Sequence, residues 1–272
     1  MMKRKTQNIG GEIHHASVSE GPSDRPVVLA LHGFSGAGSD FEAITSHIDL
    51  EVVAPDILGH GDSPAPRSRE SYRIDTVAHQ VVTWTDDERP VFLLGYSMGG
   101  RIALRAAPLL QNRLMGLILI SVNPGIEDTT ERTERIARDA ALAAQIEQNG
   151  IGWFTEYWSK TPLISTQKNI PKTIRDSMME SRESQRTHGL SGSLRGMGQG
   201  AVNPIWNNLP HEDTLLITGE LDTAYTDIAD RMCAVMPNAT RMVVENAGHC
   251  THLEDVETVG PAIQNFINRV IG

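Results

Sequence analysis

The chain predicts an α/β fold: a mostly parallel sheet flanked by helices, with a helical lid inserted late in the sequence. Three observations predict it. Short β-branched or leucine-rich runs recur at 27–31, 52–54, 91–94, 116–120, 214–217 and 242–244. Stretches of helical length, including 98–108 and 256–270, lie between most of them, and strands that alternate with helices pair in parallel. The strand runs also lack polar–apolar alternation, as strands covered on both faces do.

The alternation stops between about 126 and 208. That stretch is mainly polar and helix-prone; it carries Trp153, Trp158 and Trp206 and the glycine-rich "RGMGQG" at 195–200. Strands at 116–120 and 214–217 flank it. The expected organisation is therefore one core built from 1–125 and 209–272, with 126–208 inserted as a lid. A chain of 272 residues is most simply one domain with such an insertion.

Composition removes several function classes. Hydrophobic residues make up 39% of the chain, enough for a sizeable core, yet no apolar run approaches the ~20 residues of a membrane span. The first residues, "MMKRKTQNIGGE", have no apolar segment behind them, so no signal peptide is expected and a cytoplasmic location is. Two cysteines, Cys233 and Cys250, do not make a disulfide scaffold. The net charge of −10 argues against non-specific nucleic-acid binding. Neither metal-ligand spacing nor a dinucleotide fingerprint is present, so no metal and no cofactor are expected. The sequence carries no signal for an oligomeric state.

Chemistry concentrates around "VFLLGYSMGG" (91–100). In Gly-x-Ser-x-Gly a serine occupies a sharp strand-to-helix turn, and glycines at 95 and 99 remove the Cβ atoms that would collide there. Ser97 is then exposed above the sheet, over the positive end of the next helix. A serine hydroxyl needs a histidine to take its proton, and the histidine needs a carboxylate to orient it. "GELD" follows the run "LLIT" and ends in Asp222; "NAGHCTH" follows "MVVE" and holds His249 and His252. Asp222 is preferred to Asp227 because it lies nearer its strand end. His249 is preferred to His252 because it follows the loop glycine. The order Ser, Asp, His at strand ends suits a catalytic triad on this architecture. The backbone N–H groups of Phe34, in "LALHGFSGAG", and of Met98 form an oxyanion site, each such donor being typically worth ~3–4 kcal/mol of barrier. "DILGHGDSPAP" (56–66) reads as a structural loop near the site.

Taken together, "LHGFSG", "GHGDS", "GYSMGG", "GELD" and "AGHCTHLE" resemble the α/β-hydrolase superfamily from about residue 27 to 258. The resemblance implies the α/β-hydrolase fold; it does not imply one reaction, since the framework hosts esterases, C–C hydrolases, dehalogenases, lyases and non-catalytic binding proteins.

The basic residues narrow the choice. Of the 24 Lys and Arg residues, 19 are arginine, and seven of those fall in the insertion. Arg101 follows Ser97 by one helical turn. On a helix starting near Thr130, Ile136, Ala140 and Ala143 form a stripe, with Arg132 on it, Arg135 at its edge and Arg138 elsewhere. An arginine facing an apolar stripe is costly unless it meets an anion, and its planar fork suits a carboxylate. Anion binding is expected of Arg101 and of one of Arg132 and Arg135, and a solvated helix face of the rest. A multiply carboxylated small-molecule substrate follows.

"GYSMGGR", "NPGI" (123–126), "ERTERIARD" (131–139), "WFTEYWSKTPLI" (153–164) and "LRGMGQGAVNPIW" (194–206) resemble the 2-succinyl-6-hydroxy-2,4-cyclohexadiene-1-carboxylate synthase family of menaquinone biosynthesis over nearly the whole chain. That resemblance implies a lyase in which Ser97 is the base, relayed through His249 and oriented by Asp222, with Phe34 and Met98 holding the oxyanion. It implies further that Tyr96, Arg101, Arg135, Trp158 and Arg182 grip the substrate. "PLI" stands where the family often has "PLF", and the end of "GQGAVNPIW" is variant, which leaves contacts near Ile164 and Asn203 open; Arg186, four residues past Arg182, is a rival for that position. The alternative is a serine hydrolase of esters or C–C bonds in acidic metabolites. A non-catalytic receptor on the same fold would not need Ser97, Asp222 and His249 together.

Overall fold

The computed structural model describes residues 1–86 and 88–272. Eight strands form one sheet: β1 (Lys3–Ile9), β2 (Glu12–Val18), β3 (Val27–Leu31), β4 (Glu51–Pro55), β5 (Val91–Tyr96), β6 (Leu114–Ile120), β7 (Thr214–Gly219) and β8 (Ala239–Val244). Their order is β1-β2-β4-β3-β5-β6-β7-β8. From β4 to β8 every pairing is parallel, and β2 joins β4 in antiparallel register.

The uninterrupted apolar strands divide their side chains between two cores. Leu29, Leu31, Leu93, Leu117 and Leu119 face one cluster, and their neighbours Val28, Ala30, Phe92, Leu94 and Ile118 face the other. Successive Cβ atoms point to opposite faces of a sheet, so a strand apolar throughout needs cover on both. The first face is covered by α2 (Ile74–Val82), by α3 (Met98–Leu110) and by Ala229 and Met232 of α7 (Thr223–Val235). Ile44 of α1 (Glu42–Thr45), Leu253 of α8 (Thr251–Glu254) and Ile263, Phe266 and Ile267 of α9 (Val256–Ile271) cover the second.

Two strand features depart from the sequence reading. The hairpin β1–β2 has no apolar run to announce β1, whose residues are mostly exposed. Its one local signal is Gly10-Gly11, both at positive φ, in a two-residue hairpin turn. At the other edge, β8 is not covered on both faces, and only Val244 of its six residues is buried.

Residues 126–208 contain α4 (Thr129–Ser159), α5 (Lys172–Glu183) and α6 (Thr187–Met197). The Asp128 side chain caps α4 by accepting from the Glu131 N–H at 2.8 Å. Gly150 interrupts the helix at φ 83°, a value that only glycine adopts freely. Ala143, Ile146 and Phe154 of α4 pack on Leu190 and Leu194 of α6 in a small core of their own, which Phe34 of the main body joins. The expected stripe of Ile136, Ala140 and Ala143 is displaced by one position. Ile136 is 44% exposed and Ala140 is exposed, while Asp139, Ala143 and Ile146 are buried. Packing of Ala143, Ile146 and Phe154 on α6 sets this rotation, and Asp139, carried inward with them, pairs with Arg135 on the same helix at 2.8 Å. Of the three tryptophans of this stretch, Trp206 serves the main body: its indole N–H donates to Gly125 O at 2.9 Å, and the Arg231 guanidinium stacks 4.0 Å from its ring centre. Among the described residues no helix is long and apolar enough to cross a membrane.

Asp56, just past β4, ties three distant segments together. Its carboxylate accepts from Arg4 of β1 at 2.6 Å, from the Gly38 N–H at 2.8 Å and from the Asp62 N–H at 3.0 Å. Burial alone pushes this carboxyl up, but the bonds from Arg4 and the two amides outweigh it and hold the group below its ordinary value. A depressed carboxyl contributes stability that is present above its unfolded-state pKa and is lost as pH falls through the folded-state one. Asp56→Ala is therefore expected to cost about 3 kcal/mol near neutral pH, because it strands the buried Gly38 amide and leaves the Arg4 guanidinium without its buried partner. The deficit against the parent should shrink at pH 3; urea unfolding at the two pH values measures it.

Candidate active site

At the carboxyl end of β5, Ser97 adopts φ 50°, ψ −109°, a strained conformation for a residue with a Cβ. Its N–H donates to Ile120 O at 2.9 Å, and its carbonyl accepts from the Arg101 N–H at 3.2 Å as α3 begins. The glycines around it are there for space. A Cβ on Gly95 would lie 2.5 Å from Gly100 Cα, and one on Gly99 would lie 2.0 Å from Leu31 O. The turn thus lets α3 rest directly on the sheet and lifts the Ser97 hydroxyl above it.

His249 lies beyond β8 and is 2% exposed. Its Nε2 is 2.9 Å from Ser97 Oγ, and its Nδ1 is 2.7 Å from Asp222 Oδ2, in the turn between β7 and α7. A carboxylate at Nδ1 keeps the proton on that nitrogen and leaves the Nε2 lone pair to accept from the serine. The structure separates the rivals. Asp227 is exposed on α7, and His252 is packed among Tyr96 and Phe41, where burial pushes its imidazole down to about 3.

Phe34 and Met98 both border the cavity that contains Ser97. The Phe34 amide has a fixed orientation. His32 Nδ1 donates to Gly33 O at 2.7 Å, while His32 Nε2 accepts from the Ile57 N–H at 3.0 Å. In a trans peptide the N–H points opposite to the C=O, so anchoring the Gly33 carbonyl aims the Phe34 N–H. The "GHGDS" loop packs alongside: the His60 ring lies 5.1 Å from that of His32 and 6.0 Å from that of Phe34.

Two cavities share Ser97, Phe34, Trp158 and Leu163 in their walls. One adds Arg101, Arg135, Asp139 and Tyr225; the other adds Tyr96, Asp40, Gln167, Arg182 and His249. All five residues implied by the family resemblance to touch substrate therefore line the space around Ser97. Arg132 turns away, bonding Gly200 O at 3.2 Å and Asn203 Oδ1 at 2.7 Å. Arg186 bonds Gly61 O at 3.1 Å and also Ser63 O. The geometry thus favours Arg135 over Arg132 and Arg182 over Arg186.

The arginines differ in what they already hold. Arg135 is committed to Asp139 at 2.8 Å and to Gln199. Arg101, only 7% exposed, donates to one backbone carbonyl, Met197 O at 3.1 Å, and its Nε has no partner. Arg182, 3% exposed, donates to Gln167 Oε1 at 3.1 Å, and its Nε is likewise unpartnered. Burial lowers the pKa of both guanidiniums from the ordinary value, yet a guanidinium stays charged. Two buried cations beside a serine, without a carboxylate in ion-pair range among the described residues, make a site for an anion.

Sequence reasoning missed several wall residues. Tyr225, one turn into α7, presents its ring to His249 at 4.5 Å; its position three residues after Asp222 was the available signal. Asp40, whose carboxyl burial pushes up to about 7, borders the Arg182 side. Gln167, in the 3₁₀ segment Pro162–Asn169, had no local signature, and Leu163 stood in the quoted "TPLI" stretch with nothing local to turn it toward the cavity.

Residues 27–260 match the alpha/beta hydrolase family. The chain is 32% identical over 263 residues, 95% of its length and 96% of the other's, to a protein of Bacillus subtilis (strain 168) provisionally named 2-succinyl-6-hydroxy-2,4-cyclohexadiene-1-carboxylate synthase. It is 26% identical to the 2-succinyl-6-hydroxy-2,4-cyclohexadiene-1-carboxylate synthase of Serratia proteamaculans (strain 568), covering 92% of this chain and 96% of that one. Among solved structures, MenH from S. aureus superposes with a TM-score of 0.87 at 27% identity, over 94% of this chain and 99% of that one. An esterase from Thermogutta terrifontis, at 22% identity and a TM-score of 0.76, covers 99% of both chains and shares the fold. The chain belongs to the alpha/beta hydrolase family, and within it resembles the 2-succinyl-6-hydroxy-2,4-cyclohexadiene-1-carboxylate synthases.

Proposed function

We propose that this chain is a carbon–oxygen lyase of menaquinone biosynthesis. It eliminates pyruvate from 2-succinyl-5-enolpyruvyl-6-hydroxy-3-cyclohexene-1-carboxylate and leaves 2-succinyl-6-hydroxy-2,4-cyclohexadiene-1-carboxylate. Beyond the likeness to the synthases, one observation carries the reading: Arg101 and Arg182 are buried beside Ser97 with no carboxylate in ion-pair range among the described residues. The substrate has three carboxylates to offer them. A neutral ester has none.

The bond changes follow from the two structures. A proton leaves C2, next to the succinyl ketone. The C2=C3 bond forms, the ring alkene moves from C3=C4 to C4=C5, and the C5–O bond breaks. In this reading Ser97 Oγ takes the C2 proton as its own passes to His249 Nε2, and Asp222 stabilises the imidazolium. Negative charge from C2 spreads onto the ketone oxygen, where the Phe34 and Met98 N–H groups receive it. The imidazolium returns a proton to the departing enolpyruvate, which becomes pyruvate. Trp158 and Phe34, in edge contact at 5.5 Å, exclude water above the reacting carbon, which strengthens each charge interaction below them.

The same serine and histidine are competent for acyl transfer, so hydrolysis of acidic esters is the second reading. Mass spectrometry of the protein during turnover separates the two. Elimination leaves Ser97 unmodified throughout, whereas an acyl adduct on it supports hydrolysis.

Offering the purified protein the enolpyruvyl substrate and assaying pyruvate is the direct test; no release overturns the proposal. Ser97→Ala and His249→Ala should each lower kcat by about 10³ or more. Arg101→Ala, Arg135→Ala and Arg182→Ala should each lower kcat/KM for the polycarboxylate by about 2–4 kcal/mol, as for a lost charge-assisted contact. Cleavage of a small neutral ester should change far less in these variants. Equal loss on both substrates would remove the anion-gripping role.

A further inference from the structure

Glu254, the last residue of α8, follows His249 by five positions. Its carboxylate receives the backbone N–H on each side of that histidine: Oε2 accepts from Gly248 at 2.7 Å and Oε1 accepts from Cys250 at 3.1 Å. A third donor reaches it from the inserted segment, where Thr166 Oγ1 donates to Oε1 at 2.9 Å. Contact between that threonine and the histidine loop is close. A Cβ on Gly248 would lie 2.1 Å from Thr166 Oγ1, so the glycine at 248 makes room for a lid side chain.

We propose that Glu254 is a positioning residue for His249, and that Thr166 couples the lid to it through the same carboxylate. The proposal rests on the triad reading above. His249 has to reach Ser97 and Asp222 at once, and its loop lies outside the ladder of β8. Hydrogen bonds to an ionised acceptor are the strong kind. Two of them, one from each amide flanking the imidazole, fix both ends of the short stretch of backbone that aims the ring. The lid hydroxyl shares Oε1 with the Cys250 amide, so lifting this part of the lid removes one of the three donors that hold the carboxylate in place. The base is thus held best when Thr166 is docked.

Glu254→Gln and Thr166→Val in the full chain test this. Glutamine keeps one acceptor oxygen but turns an NH2 group toward the other donor; valine keeps the shape of threonine and loses only its hydroxyl. Three readouts are taken: amide hydrogen exchange across 246–252, the rate at which a fluorophosphonate labels Ser97, and kcat and KM for pyruvate release. Glu254→Gln should speed exchange at Gly248 and Cys250 and slow both labelling and kcat by about tenfold or more, with KM nearly unchanged, as a misplaced base requires. Thr166→Val should reproduce a smaller part of each change. The double variant should be no worse than Glu254→Gln alone, since both act through one carboxylate. Unchanged exchange and labelling in Glu254→Gln overturn the proposal, as do losses that simply multiply. If Glu254→Gln does not fold, Thr166→Val decides alone, and unchanged exchange and labelling in it overturn the proposal too. Labelling and exchange need no lyase substrate. A protein that releases no pyruvate but shows these changes sinks the elimination reading and leaves the clamp standing.

Discussion

The backbone of Ser97 is the constraint on which the site depends. A non-glycine residue at φ 50° carries strain of order 1–3 kcal/mol, and it persists because α3 is pressed against β5 and β3 at distances that only glycine allows at 95 and 99. That packing sets the height of the Ser97 hydroxyl. It also makes Met98 the first residue of α3, so that its N–H lies at the positive end of that helix. Because β3, β5, β7 and β8 run parallel, their carboxyl ends open on one edge of the sheet. Loops that carry Phe34, Asp222 and His249 therefore converge on Ser97 from positions as much as 152 residues away in the chain.

Electrostatics of the site run against the charge of the whole. A chain of net charge −10 buries two guanidiniums, Arg101 and Arg182, with no carboxylate in ion-pair range among the described residues, an arrangement that is costly without a ligand. Phe34 sets its ring edge-on to Phe154 and Trp158 beside the cavity, and an apolar surrounding strengthens the attraction of a buried cation for an anion. Arg135 differs from the other two arginines in being held by Asp139 and Gln199, so its fork is already oriented before any ligand arrives. Across the cavity, Asp40 stands near Arg182 with a carboxyl that burial raises to about 7. The two walls therefore differ: one sets Arg101 beside the Arg135–Asp139 pair, the other sets Arg182 beside an acid whose carboxyl is raised.

Much of this was legible in the residues. The apolar runs of β3 to β7 are those of a sheet covered on both faces, and the serine, aspartate and histidine each stand a few residues past an apolar run. Glycines that mark tight turns are visible without coordinates because no other residue fits there. The order of a parallel α/β chain then dictates that these loops share an edge. The β1–β2 hairpin was not legible, because an edge strand facing water carries no apolar signature, and Gly10-Gly11 alone does not distinguish a hairpin from a loop.

Local sequence determined the architecture, the turn at Ser97 and the identity of its partners along the chain, since strand burial and glycine-dependent turns are properties of short stretches. Tertiary structure alone decided which arginines face the cavity. On one helix Arg132 and Arg135 differ by a rotation that periodicity read one position wrong, because Ala143, Ile146 and Phe154 pack on α6 and carry Asp139 inward beside Arg135. It alone also brought Tyr225, Asp40 and the Glu254–Thr166 contact to the site. Those are meetings between segments whose separation in sequence carries no record of their distance in space.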